Sequence, residues 1–265
     1  MNIHRLDNTN VGDWWSPPGR YFPFKPSPVL DIINSNQIPN NKEIYIIGGG
    51  GLGRPFFREH LERLKRKDRQ YKLIAWGVGS DIEENKEGII FKDLINGKDL
   101  LGNYFDGFDE VGTRVYDPKK THTWVPCASS MHPSFFNYRD KLPNKKIGVY
   151  LHKRVPLKNI EINQYDFITN DGQNIDEKLD FLSSYEFIIT NTYHGVFWGT
   201  LLKRKVLCIP FKSGLYSFKH APHYISDTLK TSDLDMCVKY ENALEECRAA
   251  NINFFSYLTN KYGIL

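Results

Sequence analysis

The stretch Ile188-Ile189-Thr190-Asn191-Thr192-Tyr193-His194-Gly195-Val196-Phe197-Trp198-Gly199-Thr200-Leu201-Leu202 decides the fold. An apolar, β-type run from Tyr185 to Ile189 ends in small polar residues, and an apolar helical pattern begins at once. That order describes a strand passing through a tight turn into a helix, with Thr192 as N-cap and Gly195 permitting close backbone approach. Free N–H groups and the positive end of the helix dipole gather there, which suits an anion. Asn191, Thr192, Tyr193 and Gly195 are therefore candidate anion-binding positions. His194 falls in the first turn, at least partly exposed, where an imidazole can donate to a phosphate or carboxylate or move a proton near neutral pH. A lone histidine at such a turn more often only caps or packs it. The βα junction favours the chemical role, because open α/β sheets bind ligands at the carboxyl ends of their strands.

The same alternation extends along the chain. Strand-like runs occupy Glu43–Ile47, Lys72–Trp76, Gly88–Phe91, Glu110–Val115, Thr123–Pro126, Lys146–Leu151, Asp166–Thr169, Glu186–Thr190 and Lys205–Pro210, with a short one at Asn2–Leu6. Helix-like runs occupy Ser27–Ser35, Pro55–Arg66, Ile175–Ser184, His194–Lys203 and a long segment within Glu241–Lys261. Strands separated by helices predict βαβ units and parallel sheets. So many strands exceed one comfortable doubly wound sheet, and the polar stretch Asn137–Lys146 is the best linker. The expected fold is α/β, with two Rossmann-like domains facing across a cleft. The first covers residues 1–142 and the second residues 143–265, the C-terminal helix being free to pack back on the first.

Other strand ends carry candidate chemistry. Asn10-Val11-Gly12-Asp13-Trp14 forms a polar, glycine-containing turn; Asp13 there is either a general base or a turn aspartate bonding its own backbone. Gly48-Gly49-Gly50-Gly51 follows an apolar strand, and Gly49 and Gly50 would let backbone approach a ligand just before a helix opens. The run lacks the setting of a dinucleotide fingerprint and the Lys-Ser/Thr of a P-loop. Trp76-Gly77-Val78-Gly79 is a similar strand end. Arg114 has the planar fork for phosphate or carboxylate, or else pairs with Asp109 or Asp117. Lys212, Lys219 and His220 follow the last strand and would point toward His194 in a parallel sheet. His220 and His223 have only weak metal-ligand spacing, so no metal site is expected.

Bulk properties narrow the classes. The 265 residues are 40% hydrophobic and 25% charged, with a net charge of +4, which describes a globular chain too weakly basic to imply nucleic acid. Four cysteines without CxxC spacing read as reduced thiols. No signal-type or membrane-spanning run is visible, so a cytoplasmic location is expected. The basic residues Arg58, Arg63, Lys65, Arg66, Lys67, Arg69 and Lys72 make a solvated helix face or, on a sharper reading, a contact with anionic lipid headgroups of the inner membrane surface.

An early Asn10-x-Gly12-Asp13, an apolar strand into Gly48–Gly51, then Trp76-Gly77-Val78-Gly79, and a late strand into Tyr193-His194-Gly195 resemble the polysaccharide pyruvyltransferase family, from about Asn8 to His220. The late motif is the specific one. The resemblance implies an architecture similar to the B-type glycosyltransferases. It also implies transfer of the enolpyruvyl carbon of phosphoenolpyruvate onto two hydroxyls of a sugar in a glycan or lipid-linked oligosaccharide, with no cofactor. His194 would act at the donor as ligand and acid. Asp13 would act as base, and Asn10, Gly12 and Trp14 would approach the acceptor. The family usually carries arginine where this chain has Thr192, so Arg54, Arg114, Lys212 or Lys219 must supply that charge. Otherwise the donor differs, and a glycosyltransferase using a nucleotide sugar is the competing enzyme reading. A non-catalytic sugar-binding protein would keep the fold alone.

Overall fold

A computed structural model describes residues 1–24, 29–41, 43–81, 102–119, 122–157, 164–225 and 229–264. The first sheet holds β1 (Asn2–His4), β2 (Val29–Asp31), β3 (Ile44–Gly48), β4 (Lys72–Val78), β5 (Glu110–Thr113) and β6 (Thr123–Trp124). The second holds β7 (Lys145–Leu151), β8 (Asp166–Thr169), β9 (Tyr185–Thr190), β10 (Lys205–Cys208) and β11 (His223–Tyr224). Every pairing in both sheets is parallel. The described helices are α1 (Val11–Trp15), α2 (Pro55–Leu64), α3 (Phe135–Tyr138), α4 (Ile175–Ser183), α5 (Tyr193–Leu201), α6 (Thr231–Asp235) and α7 (Ala243–Tyr262).

The two sheets share one plan. The first runs β2-β1-β3-β4-β5-β6 and the second runs β8-β7-β9-β10-β11 when read from its β8 edge. In each, the chain winds one way for a single strand and then reverses, so a switch point falls between β1 and β3 and again between β7 and β9. Loops leaving the two strands at such a point diverge to opposite faces and open a crevice. Nearly continuous burial along β3, β4 and β9 is the mark of strands covered on both faces.

Local chemistry sets the helix ends. Asn174 caps α4 by accepting from Glu177 N–H at 3.2 Å, with Asp176 and Glu177 in the first turn. Thr192 caps α5 by accepting from Gly195 N–H at 2.8 Å. Helix α5 is buried on every side, among Val11, Cys127 and Leu179 of a core that both halves supply. Helix α7 returns to the first sheet. Its Asn251 accepts from Trp76 Nε1 at 2.8 Å, and Phe254 packs edge-on to Trp76 at 5.0 Å. Among the described residues no helix is long and apolar enough to cross a membrane.

Two expectations are corrected. The run Ser27–Ser35, read as a helix, contains strand β2 followed by a 3₁₀ turn over Ile32–Gln37. Its apolar pairs fit either period, and parallel pairing of Ile3 with Leu30 decides for the strand. The polar turn after β1 holds a five-residue helix, α1, capped by Asn10. The expected strand Gly88–Phe91 lies outside the described residues.

Candidate functional site

Both switch points open onto one pocket of about 910 Å³, including its solvent-open mouth. From the first half come Asn10 and Asp13 after β1, Gly50, Gly51 and Arg54 after β3, and Arg114 after β5. From the second come His152 to Arg154 after β7, Asn170 after β8, Thr192 to His194 after β9 and Lys212 after β10. Six lysines and arginines line it against three carboxylates, Asp7, Asp13 and Asp81. The field in this concave space favours an anion.

Helix α1 joins the halves. Asn10 Oδ1 accepts from Gly12 N–H at 3.1 Å while its Nδ2 donates to Asp13 Oδ2 at 3.0 Å. Val11 N–H donates to Asn170 O across the interface at 3.1 Å. Gly12 then sits against the His194 ring; a Cβ there would fall 2.0 Å from Nδ1. Glycine is required by that contact. Among the described residues Asp13 has no ion-pair partner within 4.0 Å, and Asn10 holds it in place. Desolvation raises its pKa, with Lys212 and Arg114 pulling back.

His194 is 7% exposed, correcting the expectation of a partly exposed first-turn histidine. Helix α5 is wrapped on all sides, and the ring lies 4.7 Å from Trp198 and 5.1 Å from Tyr193. Its Nε2 stands 3.3 Å from Ser16 Oγ and 3.5 Å from Cys127 Sγ. The Ser16 hydroxyl donates to Gly12 O at 2.6 Å. Nε2 therefore faces a lone pair and carries the hydrogen, leaving Nδ1 as the proton acceptor. Burial, reinforced by Arg114 and Lys212, drives the His194 pKa well below its usual value. The two shifts run opposite to the expected division of labour. Burial thus disfavours the charged form of both groups, the Asp13 carboxylate and the His194 imidazolium.

Arg114 is 4% exposed, with its guanidinium over the Tyr193 ring at 3.7 Å and its Nε without a hydrogen-bond partner. It does not pair with Asp109, which Arg69 and Lys72 take at 2.7 and 2.9 Å. Lys212 also lines the pocket but is held by Asp81 at 2.8 Å, with Arg54 at 3.8 Å from the same carboxylate. Lys219 does not line it. It bonds Glu246 at 2.6 Å and, with Arg114 and Tyr193, borders a smaller cavity lined by Trp124 and Phe218.

Four further residues support the pocket without lining it. Asn191 accepts from His152 N–H and donates to Val155 O, each at 2.8 Å, and so fixes the loop that carries His152, Lys153 and Arg154. The Gly195 N–H is taken by the Thr192 cap, and a Cβ at Gly195 would meet Thr190 Oγ1 at 2.2 Å. Gly49 has φ 77°, and a Cβ there would meet Ser16 at 2.6 Å; the glycine run makes room for α1 and its flanks, with only Gly50 and Gly51 facing the pocket. Trp14 lies under the Arg20 guanidinium at 4.4 Å. His220 and His223 bond separate carboxylates, Glu246 at 3.1 Å and Asp233 at 3.2 Å.

The sequence reading missed Arg5, Ser16, Cys127, His152, Lys153 and Arg154. His152 Nδ1 accepts from Arg154 N–H at 3.1 Å, so Nε2–H is its remaining donor. Burial and the nearby Lys212 lower its pKa to about 4. Leu151-His152-Lys153-Arg154 ends a strand just as Thr190-Asn191-Thr192 does, a signal visible in the sequence.

No family model matches the chain, and no curated protein matches it. Among solved structures, a functionally uncharacterized protein from Klebsiella pneumoniae is similar at 16% identity and a TM-score of 0.46, over 79% of this chain and 83% of that one.

Proposed function

We propose that the chain is a transferase of surface-polysaccharide biosynthesis that moves a pyruvyl group from phosphoenolpyruvate onto two hydroxyls of a glycan or lipid-linked sugar. On this reading residues 1–142 and 143–265 are Rossmann-like domains meeting across a cleft in the manner of the B-type glycosyltransferases. The carrying observation is a cation-rich pocket that brings a neutral imidazole, His194, together with an unpaired carboxyl of raised pKa, Asp13. Phosphoenolpyruvate carries a phosphate and a carboxylate, and Arg114 with the second half's cations suits both. Arg114 and Lys212 stand in for the arginine absent at position 192.

The chemistry needs one proton delivered to the methylene carbon and two hydroxyl protons removed. Asp13 gives its proton to that carbon, and the positive charge develops on the adjacent carbon. The first sugar hydroxyl attacks there as His194 Nδ1 takes its proton. The second hydroxyl then displaces phosphate, whose departure carries the remaining proton. The product is a cyclic ketal and inorganic phosphate, and the proton held by His194 returns to Asp13, which resets the site for the next turnover. General acid and base groups of this kind supply about 10²–10⁴ in rate.

Thermal shift with phosphoenolpyruvate and with a panel of nucleotide sugars tests the donor. Protection by phosphoenolpyruvate, followed by acceptor-dependent phosphate release, is expected. Protection by a nucleotide sugar alone would replace this reading with glycosyl transfer, and protection by neither would leave only a binding role.

A further inference from the structure

A second concavity lies at the other end of the second sheet, where its strands begin. It spans about 770 Å³, including its solvent-open mouth, and is lined by the loop before β7, the start of β9 and the segment Lys203–Lys205 that opens β10. Parallel strands place this end opposite the pocket formed where the same strands finish. Arg139, Lys141, Lys203, Arg204, Lys205 and Lys239 face it, against Asp140 and Glu186.

Most of these cations are matched. Lys203 pairs with Asp140 at 2.8 Å, Lys205 with Glu186 at 3.2 Å and Lys239 with Glu241 at 2.7 Å. Arg204 differs. It is 5% exposed, donates from Nη2 to Lys141 O at 2.6 Å, and its Nε has no partner. Among the described residues it has no carboxylate within 4.0 Å. A buried guanidinium left without a counter-charge is costly, and an anion entering the pocket would supply one. Its planar fork suits phosphate geometry. Leu142, 84% exposed, stands at the same mouth beside Pro143. An exposed leucine among lysines is the arrangement of a surface that meets lipid headgroups.

We propose that this pocket is a second anion site, for a phosphate group held by Arg204 with Lys203 and Lys205, separate from the pocket around His194 and independent of its chemistry. The phosphate belongs either to a soluble ligand or to a lipid headgroup, and two probes separate them. Inorganic pyrophosphate is titrated calorimetrically into the intact protein at low ionic strength. Phosphatidylglycerol vesicles are tested by co-sedimentation against phosphatidylcholine. Arg204→Gln, and independently the surface pair Lys203→Ala with Lys205→Ala, should weaken the responding probe at least about tenfold. Lys212→Ala, in the other pocket, should leave the binding that Arg204→Gln removes unchanged. The surface pair keeps the test decisive if Arg204→Gln unfolds. A response to pyrophosphate alone supports a soluble ligand, and a response to anionic vesicles alone supports the lipid. Binding of neither probe, or binding that survives both variants, overturns the site. If the His194 pocket also takes pyrophosphate, the stoichiometry falls from two to one in Arg204→Gln; if that pocket takes none, it falls from one to zero.

Discussion

The two halves of the His194 pocket are built on the same strand order yet carry different charge. The first half contributes all three carboxylates, Asp7, Asp13 and Asp81, with Arg5, Arg54 and Arg114 among them. The second contributes Lys153, Arg154, Lys212 and two histidines, and no carboxylate. A shared fold therefore sets where the loops meet, while the loop residues set what each wall can hold. On the proposed reading the second wall, extended by Arg114 reaching over Tyr193, would take a donor with two anionic groups. The first wall, with carboxylates able to accept from hydroxyls, suits a neutral sugar.

The strongest way to break this division is to disable one group on each wall. Asp13→Asn and His194→Gln should each lower turnover by about 10²–10⁴, measured as acceptor-dependent phosphate release. Their stabilities should part company. A raised carboxyl pKa means the folded chain holds a proton that the unfolded chain has lost, so stability declines as pH climbs above the ordinary aspartate value. Asn cannot ionise, so Asp13→Asn should melt higher than wild type at pH 7 while losing activity. An equal or lower melting temperature would show that burial does not raise the Asp13 pKa, and the acid role would fall.

The histidines give the opposite sign. Burial, reinforced by Arg20, lowers the His4 pKa to about 4, as burial and Lys212 do for His152. Each stays neutral in the fold while the unfolded chain protonates near 6.5, so stability is full above that pH and is lost as pH falls toward 4. His4 lies outside the pocket, and its shift corresponds to about 3 kcal/mol. His4→Gln should flatten the melting temperature between pH 7 and pH 4. An unchanged pH slope would remove His4 as a contributor.

Much of the plan was legible because parallel strands read as apolar runs with clear ends. Glu43–Ile47, Asp166–Thr169 and Tyr185–Ile189 announce themselves this way, and five of the strand ends singled out, those after β1, β3, β5, β9 and β10, do meet in the pocket. The failures have physical causes. Asn10 to Trp15 looks like a turn because a five-residue helix has too few apolar positions to show a period. His194 looked accessible because its helix reads as one apolar run, and nothing local says that the first half covers it. The glycine run signalled close approach correctly, but the approaching groups are mainly Ser16, Pro18, Asp13 and Asp81 of the chain itself. A strand end shows that something comes near, not whether it is ligand or protein.

The contact between the walls can be tested at Gly12. A Cβ there would overlap the His194 ring, and the ring cannot retreat because Trp198 and Cys127 stand behind it. Gly12→Ala should cost about 1–3 kcal/mol in stability and most of the activity, as overpacking does in a tight core. Wild-type stability and turnover would mean that α1 does not sit against His194 in solution.

The smallest effects sharpen the assignment of the donor wall, because they rank cations that all looked equivalent in the sequence. Arg114 is buried, stacked on Tyr193 and has a free Nε, so Arg114→Ala should raise the donor KM by tens-fold, about 2 kcal/mol for a charge-assisted contact. Lys212 is already bonded to Asp81 at 2.8 Å, so a donor must share it. Lys212→Ala should therefore raise the donor KM only several-fold, and Asp81→Asn, which frees the lysine, should lower it. Lys219 bonds Glu246 outside the pocket, and exposed pairs of that kind contribute about 0–1 kcal/mol to stability. Lys219→Ala should leave the donor KM within twofold and the melting temperature nearly unchanged. If Lys219→Ala instead weakens the donor as much as Arg114→Ala does, the donor extends past Tyr193 into the smaller cavity beside Trp124. The charge division between the two walls would then have to be redrawn around Arg114, which borders both spaces.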